Sequence, residues 1–162
     1  MYDPVRICEI LNEEGVRYIV VGGFAAVIHG SSLTTKDIDL VPDRSDDNLE
    51  RLARSLRRMN AMIRTADEPV PAPMDVAFLR NSEIMLKLVG DLGDVDLIFR
   101  PAGVLDGYAG WESHALEVEI ADGVRIRLGA LGDIIASKRA ADRPKDRAAL
   151  PYLESLLDET KQ

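Results

Sequence analysis

Apolar residues recur along this chain with two periods, and the switches between them mark out its elements. Val5, Cys8 and Leu11, with Ile7 and Ile10 beside them, repeat at helical spacing. Asp3 followed by Pro4 supplies an N-cap with proline at the first helical position, and Gly15 ends the helix after about Glu14. Residues 17–21 form a short β-rich run that stops at Gly22-Gly23, and 24–29 read as a brief helix. A second strand, 38–41, is stopped by Pro42. Ser45 then caps an amphipathic helix with Leu49, Leu52, Ala53, Leu56 and Met59 inward and Arg51, Arg54, Arg57 and Arg58 outward. That arginine face reads first as solvated, with RNA phosphates as its other use.

The second half is richer in strands. Three prolines between Asp67 and Pro73 indicate an ordered loop or lid. Runs 84–89 and 95–99 flank Gly90-Asp91-Leu92-Gly93, and runs 116–120 and 124–128 flank Ala121-Asp122-Gly123, so two hairpins are predicted. Helices follow over 130–141 and 144–157, the last one kinked or divided at Pro151. With no repeat or low-complexity tract, the order predicts one α+β domain over 1–162. Its mixed sheet is flanked by helices, with a core over about 15–128 and C-terminal helices over about 130–158.

Composition narrows the class. Apolar content of 46% and charged content of 30% suit a soluble globule. The longest apolar run, 18–28, is interrupted by glycines and is far short of the roughly 20 residues that span a membrane. The opening Met1-Tyr2-Asp3-Pro4 carries no secretory pattern, and the single cysteine, Cys8, suits a reducing compartment, so a cytoplasmic location is expected. Cys8 itself reads as a small buried hydrophobe. The net charge of −8 argues against broad DNA binding. Between Arg125 and Arg147, however, seven basic and three acidic residues give a local +4, a candidate phosphate-facing flank if it is more than a solvated helix face.

The candidate chemistry lies in Val21-Gly22-Gly23 and, thirteen residues later, Asp37-Ile38-Asp39-Leu40. Residues two apart on a strand share a face, so Asp37 and Asp39 project together and need a neutralising cation, Mg²⁺ or Mn²⁺ for oxygen ligands of this kind. Asp94-Val95-Asp96-Leu97 repeats the pattern, and either Asp94 or Asp96 completes a three-carboxylate site if its strand lies beside the first. The paired glycines at a strand-to-helix turn let backbone N–H groups approach a phosphate. Ser31 and Ser32, in the connecting loop, are accounted for by loop polarity as well as by contact with a triphosphate. With two histidines and one cysteine, zinc is not indicated.

These two segments resemble the signature of the polymerase-beta type nucleotidyltransferase superfamily: a hydrophobic residue, paired small residues, a spacer, then Asp-hydrophobic-Asp-hydrophobic. The resemblance implies the corresponding fold and a third acid set between hydrophobic residues, which Asp96 satisfies better than Asp94. Lys138-Arg139-Ala140-Ala141-Asp142-Arg143-Pro144-Lys145-Asp146 is similar to the C-terminal signature of small bacterial AbiEii-type toxin nucleotidyltransferases. The family implies that Asp37, Asp39 and Asp96 bind divalent metal and that Gly22, Gly23, Ser31 and Lys138 bind an NTP. An NMP then passes to an acceptor hydroxyl on an RNA end, a protein side chain or a small molecule, with pyrophosphate released and an antitoxin as partner. Where many relatives have arginine, this chain has Leu33, so Lys36 or a later basic residue must take that place for catalysis. Without it the chain is a silent nucleotide-binding module, and a carboxylate-metal phosphohydrolase is the remaining alternative. Asp146 is placed to pair with Arg143 or Lys138 and hold its helix. His29 is expected as a structural cap, and Trp111 and Tyr108 as a loop anchored on the core or a base-stacking surface.

Overall fold

The computed structural model describes residues 1–161. Its elements, in chain order, are α1 (Pro4–Glu13), β1 (Tyr18–Val21), α2 (Gly22–His29), β2 (Asp37–Pro42), α3 (Asp46–Arg58), β3 (Met62–Ile63), α4 (Val76–Arg80), β4 (Met85–Gly90), β5 (Gly93–Ile98), α5 (Gly107–Glu112), β6 (Leu116–Ala121), β7 (Val124–Leu128), α6 (Leu131–Ala141) and α7 (Pro144–Thr160). The strands form a mixed sheet in the order β3-β4-β5-β2-β1-β7-β6. β1 with β7 and β2 with β5 run parallel, and the other neighbours are antiparallel. The α+β architecture expected from the pattern is thus present, including both hairpins.

Local chemistry explains the helix ends. The Asp3 side chain accepts from the Arg6 backbone N–H with Pro4 in the first turn, and Ser45 Oγ accepts from the Asn48 N–H at the start of α3. Buried Asn48 ties that helix to β1: it accepts from Arg17 N–H at 2.7 Å and donates to the Arg17 and Asp43 carbonyls at 3.0 and 2.7 Å. Every polar atom of this buried amide therefore has a partner, as its desolvation requires. The outward arginines of α3 are mostly occupied within the chain. Arg51 pairs with Asp47, Arg54 with Glu14 and Glu50, and Arg58 with Glu13 and Glu14, while Arg57 donates to the Met74 carbonyl.

Three short elements, β3, α4 and α5, escaped the sequence pattern because each spans only two to six residues. The proline-rich loop is tied down, since Ile63 and Val70 exchange backbone hydrogen bonds at 2.9 and 3.0 Å. Of the two outcomes expected at Pro151, a kink or a division, the division does not occur: α7 runs from Pro144 to Thr160. Its first turn is locked by the Arg143–Asp146 capping pair, and Leu153 on the far side of the proline is fully buried. This packing offsets the one backbone hydrogen bond that proline removes.

Alternation along the central strands separates the two faces of the sheet. Tyr18 donates to Asn12 on α1 at 2.9 Å, so Tyr18 and Val20 face α1, together with their cross-strand partners Pro42 and Leu40. Ile19 and Val21 face the other way with Val41 and Asp39. α2 and α5 pack over β1 and β2, and α2 meets α6, which is paired with α7. Trp111 of α5, only 2% exposed, lies against Gly129, where any side chain would press on the indole. The acidic strand face therefore opens into a space walled by helices.

Gly90, at the β4–β5 turn, offers a direct test of this packing. A Cβ there would lie 2.6 Å from the Met59 carbonyl oxygen, a backbone atom with no room to yield. Gly90→Ala is expected to destabilise the protein by about 1–3 kcal/mol, the usual range for overpacking. Thermal denaturation should show a melting point lower by several degrees.

Candidate functional site

The site is assembled by three strands. β1 delivers the chain into α2 through Gly22 and Gly23, so the helix starts at the glycines, two residues earlier than the pattern indicated. Gly22 adopts φ +69°, a left-handed conformation costly for other residues. A Cβ at this position would fall 1.9 Å from Asp39 Oδ2. The glycine thus makes the space in which the Asp39 carboxylate lies. At Gly23 the neighbour is Thr35, whose hydroxyl donates to the Asp37 carbonyl at 3.0 Å and to its Oδ1 at 3.3 Å. Tyr2 donates to the same Asp37 carbonyl at 2.9 Å, and burial together with Asp37 and Asp39 raises the Tyr2 pKa.

Parallel pairing of β2 with β5 places Asp37 opposite Asp94 and Asp39 opposite Asp96. Asp37, Asp39 and Asp96 each offer an oxygen, and these atoms lie within 4.8 Å of one another. Asp94 is outside this group. Burial, then Asp37 and Asp96, push the Asp39 pKa up to about 7. Burial also raises Asp96, opposed by Arg64. An oxygen-only donor set with more negative charge than its surroundings offset fits a hard divalent cation such as Mg²⁺ or Mn²⁺.

Arg64 was not foreseen. Its guanidinium donates to Asp96 Oδ1 at 2.7 Å and to the Leu88 carbonyl at 2.8 Å, and lies 3.7 Å from Asp94 Oδ2. It fixes one oxygen of Asp96 and occupies Asp94. Nothing local in the sequence announces this role, because Arg64 reaches β5 only after β3 has paired with β4 and its own N–H has bonded the Lys87 carbonyl at 2.9 Å.

A cleft of about 490 Å³ opens over the acids. Gly22, Gly23, Asp37, Asp39, Asp96 and Lys138 line it; Ser31 does not. The Ser31 hydroxyl instead accepts from the Leu33 N–H at 3.1 Å, a turn within the loop. Leu33 and Lys36 are both exposed and outside the lining, whereas Lys87, Arg100, Arg143 and Lys145 line it and bring further positive charge. The basic segment therefore divides. Lys138, Arg143 and Lys145 face the cleft, while Arg125 and Arg127 lie near Glu117 and Glu112, and Arg139 and Arg147 pair with Glu154 and Asp142.

Asp146 anchors the cationic wall. It is fully buried, accepts from the Arg143 guanidinium at 2.6 and 3.1 Å and from the Arg143 N–H at 3.1 Å, and lies 3.6 Å from Lys138 Nζ. Burial alone would raise its pKa, but these hydrogen bonds outweigh it and hold the carboxyl below its usual value. Trp111 forms part of the inner wall, and its buried Nε1–H has no hydrogen-bond partner among the described residues. His29 Nε2 is 2.8 Å from the Gly129 carbonyl, a structural contact, and His114 pairs with Asp133 at 2.9 Å.

The mixed sheet, its flanking helices and the helical C-terminal segment form a nucleotidyltransferase-like fold, which two solved structures share. One is a Thermotoga maritima protein assigned as a nucleotidyltransferase: 16% identity, TM-score 0.55, with 98% of this chain and 96% of that one covered. The other is the lincosamide antibiotic adenylyltransferase LnuA with lincomycin bound: 15% identity, TM-score 0.60, with 93% and 94% covered. No protein-family model and no curated protein matches the sequence.

Two substitutions test the geometry. Gly22→Ala should leave the acids in place in the sequence but displace the Asp39 carboxylate, reducing Mn²⁺ affinity at least tenfold by titration calorimetry while circular dichroism stays native. Asp146→Asn should cost about 1–3 kcal/mol at pH 7, the price of leaving a charged hydrogen-bonding group unmatched. Because the folded-state pKa is depressed, the stabilisation is complete above the ordinary carboxylate range. It is lost as pH falls through the folded value, so the difference between wild type and variant in denaturant titrations should shrink below about pH 4.

Proposed function

We propose that this protein is a metal-dependent nucleotidyltransferase, moving an NMP from an NTP to an acceptor hydroxyl and releasing pyrophosphate. The observation that carries this reading is the convergence of Asp37, Asp39 and Asp96 beside the Gly22-Gly23 turn, facing a wall of cations across one cleft. Asp37, Asp39 and Asp96 would hold the divalent ions, which when bound lower the pKa of a hydroxyl and offset charge on the phosphates. The Gly22-Gly23 backbone at the start of α2 and the Lys138 ammonium, with Lys145 nearby, hold the triphosphate. Arg143 is held by Asp146 and braces that wall.

The acceptor oxygen bonds to the α-phosphorus as the bond to the β-phosphate oxygen breaks, and pyrophosphate carries away the electron pair. Asp96 receives the hydroxyl proton. Arg64 engages only its Oδ1, so Oδ2 has no hydrogen-bond partner among the described residues. Acids and cations both line the cleft despite Leu33, so the silent-module alternative is not favoured. The Lys138–Asp146 signature supports the toxin of a toxin–antitoxin pair, with the antitoxin as partner. An NTP donor and a free, buried Cys8 support a cytoplasmic setting. No helix among the described residues is long and apolar enough to cross a membrane.

The test is incubation with α-labelled NTPs and Mg²⁺ against RNA, protein and small-molecule acceptors. Label should enter an acceptor with wild type, be lost on chelation, and fall at least a thousandfold with Asp39→Ala. Equal labelling by wild type and variant, or release of free NMP with no labelled acceptor, overturns the assignment.

A further inference from the structure

The sheet does not hold the three acids equally. Asp39 sits within β2, with Val21 of β1 on one side and Asp96 of β5 on the other. Asp37 is the first residue of β2, directly after a loop in which Ser32, Leu33, Thr34 and Lys36 are exposed. The β1–β2 ladder ends at the Val21–Asp39 pair, because the chain leaves β1 for α2 at Gly22. Asp37 therefore has a strand neighbour only on the β5 side, where it lies opposite Asp94. Its carboxylate is also repelled by those of Asp39 and Asp96, whose oxygens lie within 4.8 Å. Strand pairing alone does little to keep this acid in place.

Hydroxyl groups supply what the ladder lacks. The Asp37 carbonyl accepts from Thr35 at 3.0 Å, a local contact, and from Tyr2 at 2.9 Å, 35 residues away in sequence. Tyr2 is itself fixed by its neighbours. The Asp3 N–H donates to the Leu92 carbonyl at 2.8 Å, and the Asp3 side chain caps α1. The tyrosine ring lies against Gly93 at the start of β5, where a Cβ would come 3.0 Å from Tyr2 Cδ1. Gly93 has φ +115°, a conformation that favours glycine, so the ring has room. Burial and the charges of Asp37 and Asp39 raise the Tyr2 pKa, so the hydroxyl remains a donor at neutral pH. Tyr2 thus bridges the start of β2, which carries Asp37, and the start of β5, which carries Asp96.

Building on the metal-dependent transferase reading, we propose that Tyr2 is a positioning residue of the metal site. Its hydroxyl holds the Asp37 backbone so that the first carboxylate stands ready for a divalent ion beside Asp39 and Asp96. Tyr2 acts through Asp37 and contacts no reacting atom. The ordering of Asp37 is completed on folding, so binding an ion does not have to supply it.

Tyr2→Phe keeps the ring against Gly93 and removes only the hydroxyl. Mn²⁺ affinity, measured by titration calorimetry, is expected to fall roughly three- to tenfold, the scale of one net hydrogen bond. The Mg²⁺ concentration giving half-maximal label transfer should rise by the same factor. At saturating Mg²⁺ the transfer rate and the KM for NTP should return to those of wild type. Tyr18→Phe removes a hydroxyl bonded to Asn12 on the α1 face of the sheet, and should leave Mn²⁺ affinity unchanged. A Tyr2→Phe protein that melts lower in EDTA but binds Mn²⁺ as wild type has lost a structural contact only, which overturns the proposal. So does an equal loss of affinity in Tyr18→Phe, or a loss of activity that saturating Mg²⁺ does not restore. Weaker Mn²⁺ binding by Tyr2→Phe, where the wild type transfers no label, supports the positioning role and overturns the transferase reading alone. Label transfer by wild type, with Mn²⁺ affinity and Mg²⁺ dependence unchanged in Tyr2→Phe, overturns the positioning role alone.

Discussion

Like-charge repulsion among Asp37, Asp39 and Asp96 is the constraint around which the surrounding structure is organised. Three carboxylates whose oxygens lie within 4.8 Å oppose the folding that brings them together, and the parallel β2–β5 pairing forces that approach. The burden is distributed. Arg64, just past β3, neutralises Asp96, Lys138 and Lys145 act on Asp39 from the helical side, and Thr35 and Tyr2 hold the Asp37 backbone. The remaining excess negative charge is what a divalent cation would offset. The apolar core beneath, from Ile38 and Leu40 to Val95 and Leu97, supplies the favourable free energy against which this repulsion is set.

The same constraint explains which parts of the site were legible in the sequence. The Gly22-Gly23 turn and the Asp37/Asp39 pair could be read directly, because strand alternation and a positive backbone angle act within a few residues. Asp94 and Asp96 could not be separated by alternation, since both point to the same face. The choice follows from the β2–β5 register, which sets Asp96 opposite Asp39 and carries Asp94 one step further along, outside the three-acid group. Arg64, Lys87 and Arg100 look in the sequence like ordinary surface cations. Their roles arise from pairings across the β3–β4–β5 corner, and β3 is only two residues long.

Charge was legible in sign but not in placement. The basic run from Arg125 to Arg147 spans a strand and two helices, and those elements part company in space. β7 lies on the far side of β1 from the acids, so Arg125 and Arg127 are carried away from the cleft, while the α6–α7 junction turns Lys138, Arg143 and Lys145 towards it. Pro151 shows the reverse case, in which a strong local tendency yields to packing. α7 continues because Asp146 before the proline and Leu153 after it are both buried.

Trp111, the chain's single tryptophan, packs on Gly129 and forms part of the cleft wall, with an indole N–H that has no partner among the described residues. The protein therefore carries its own optical probe at the place where ligands are read to bind. Emission excited at the red edge of indole absorption comes from this one site, free of interference from a second tryptophan. A change in the polarity or hydrogen bonding of that wall is written directly into its wavelength and lifetime, so occupancy of the cleft can be followed without a label.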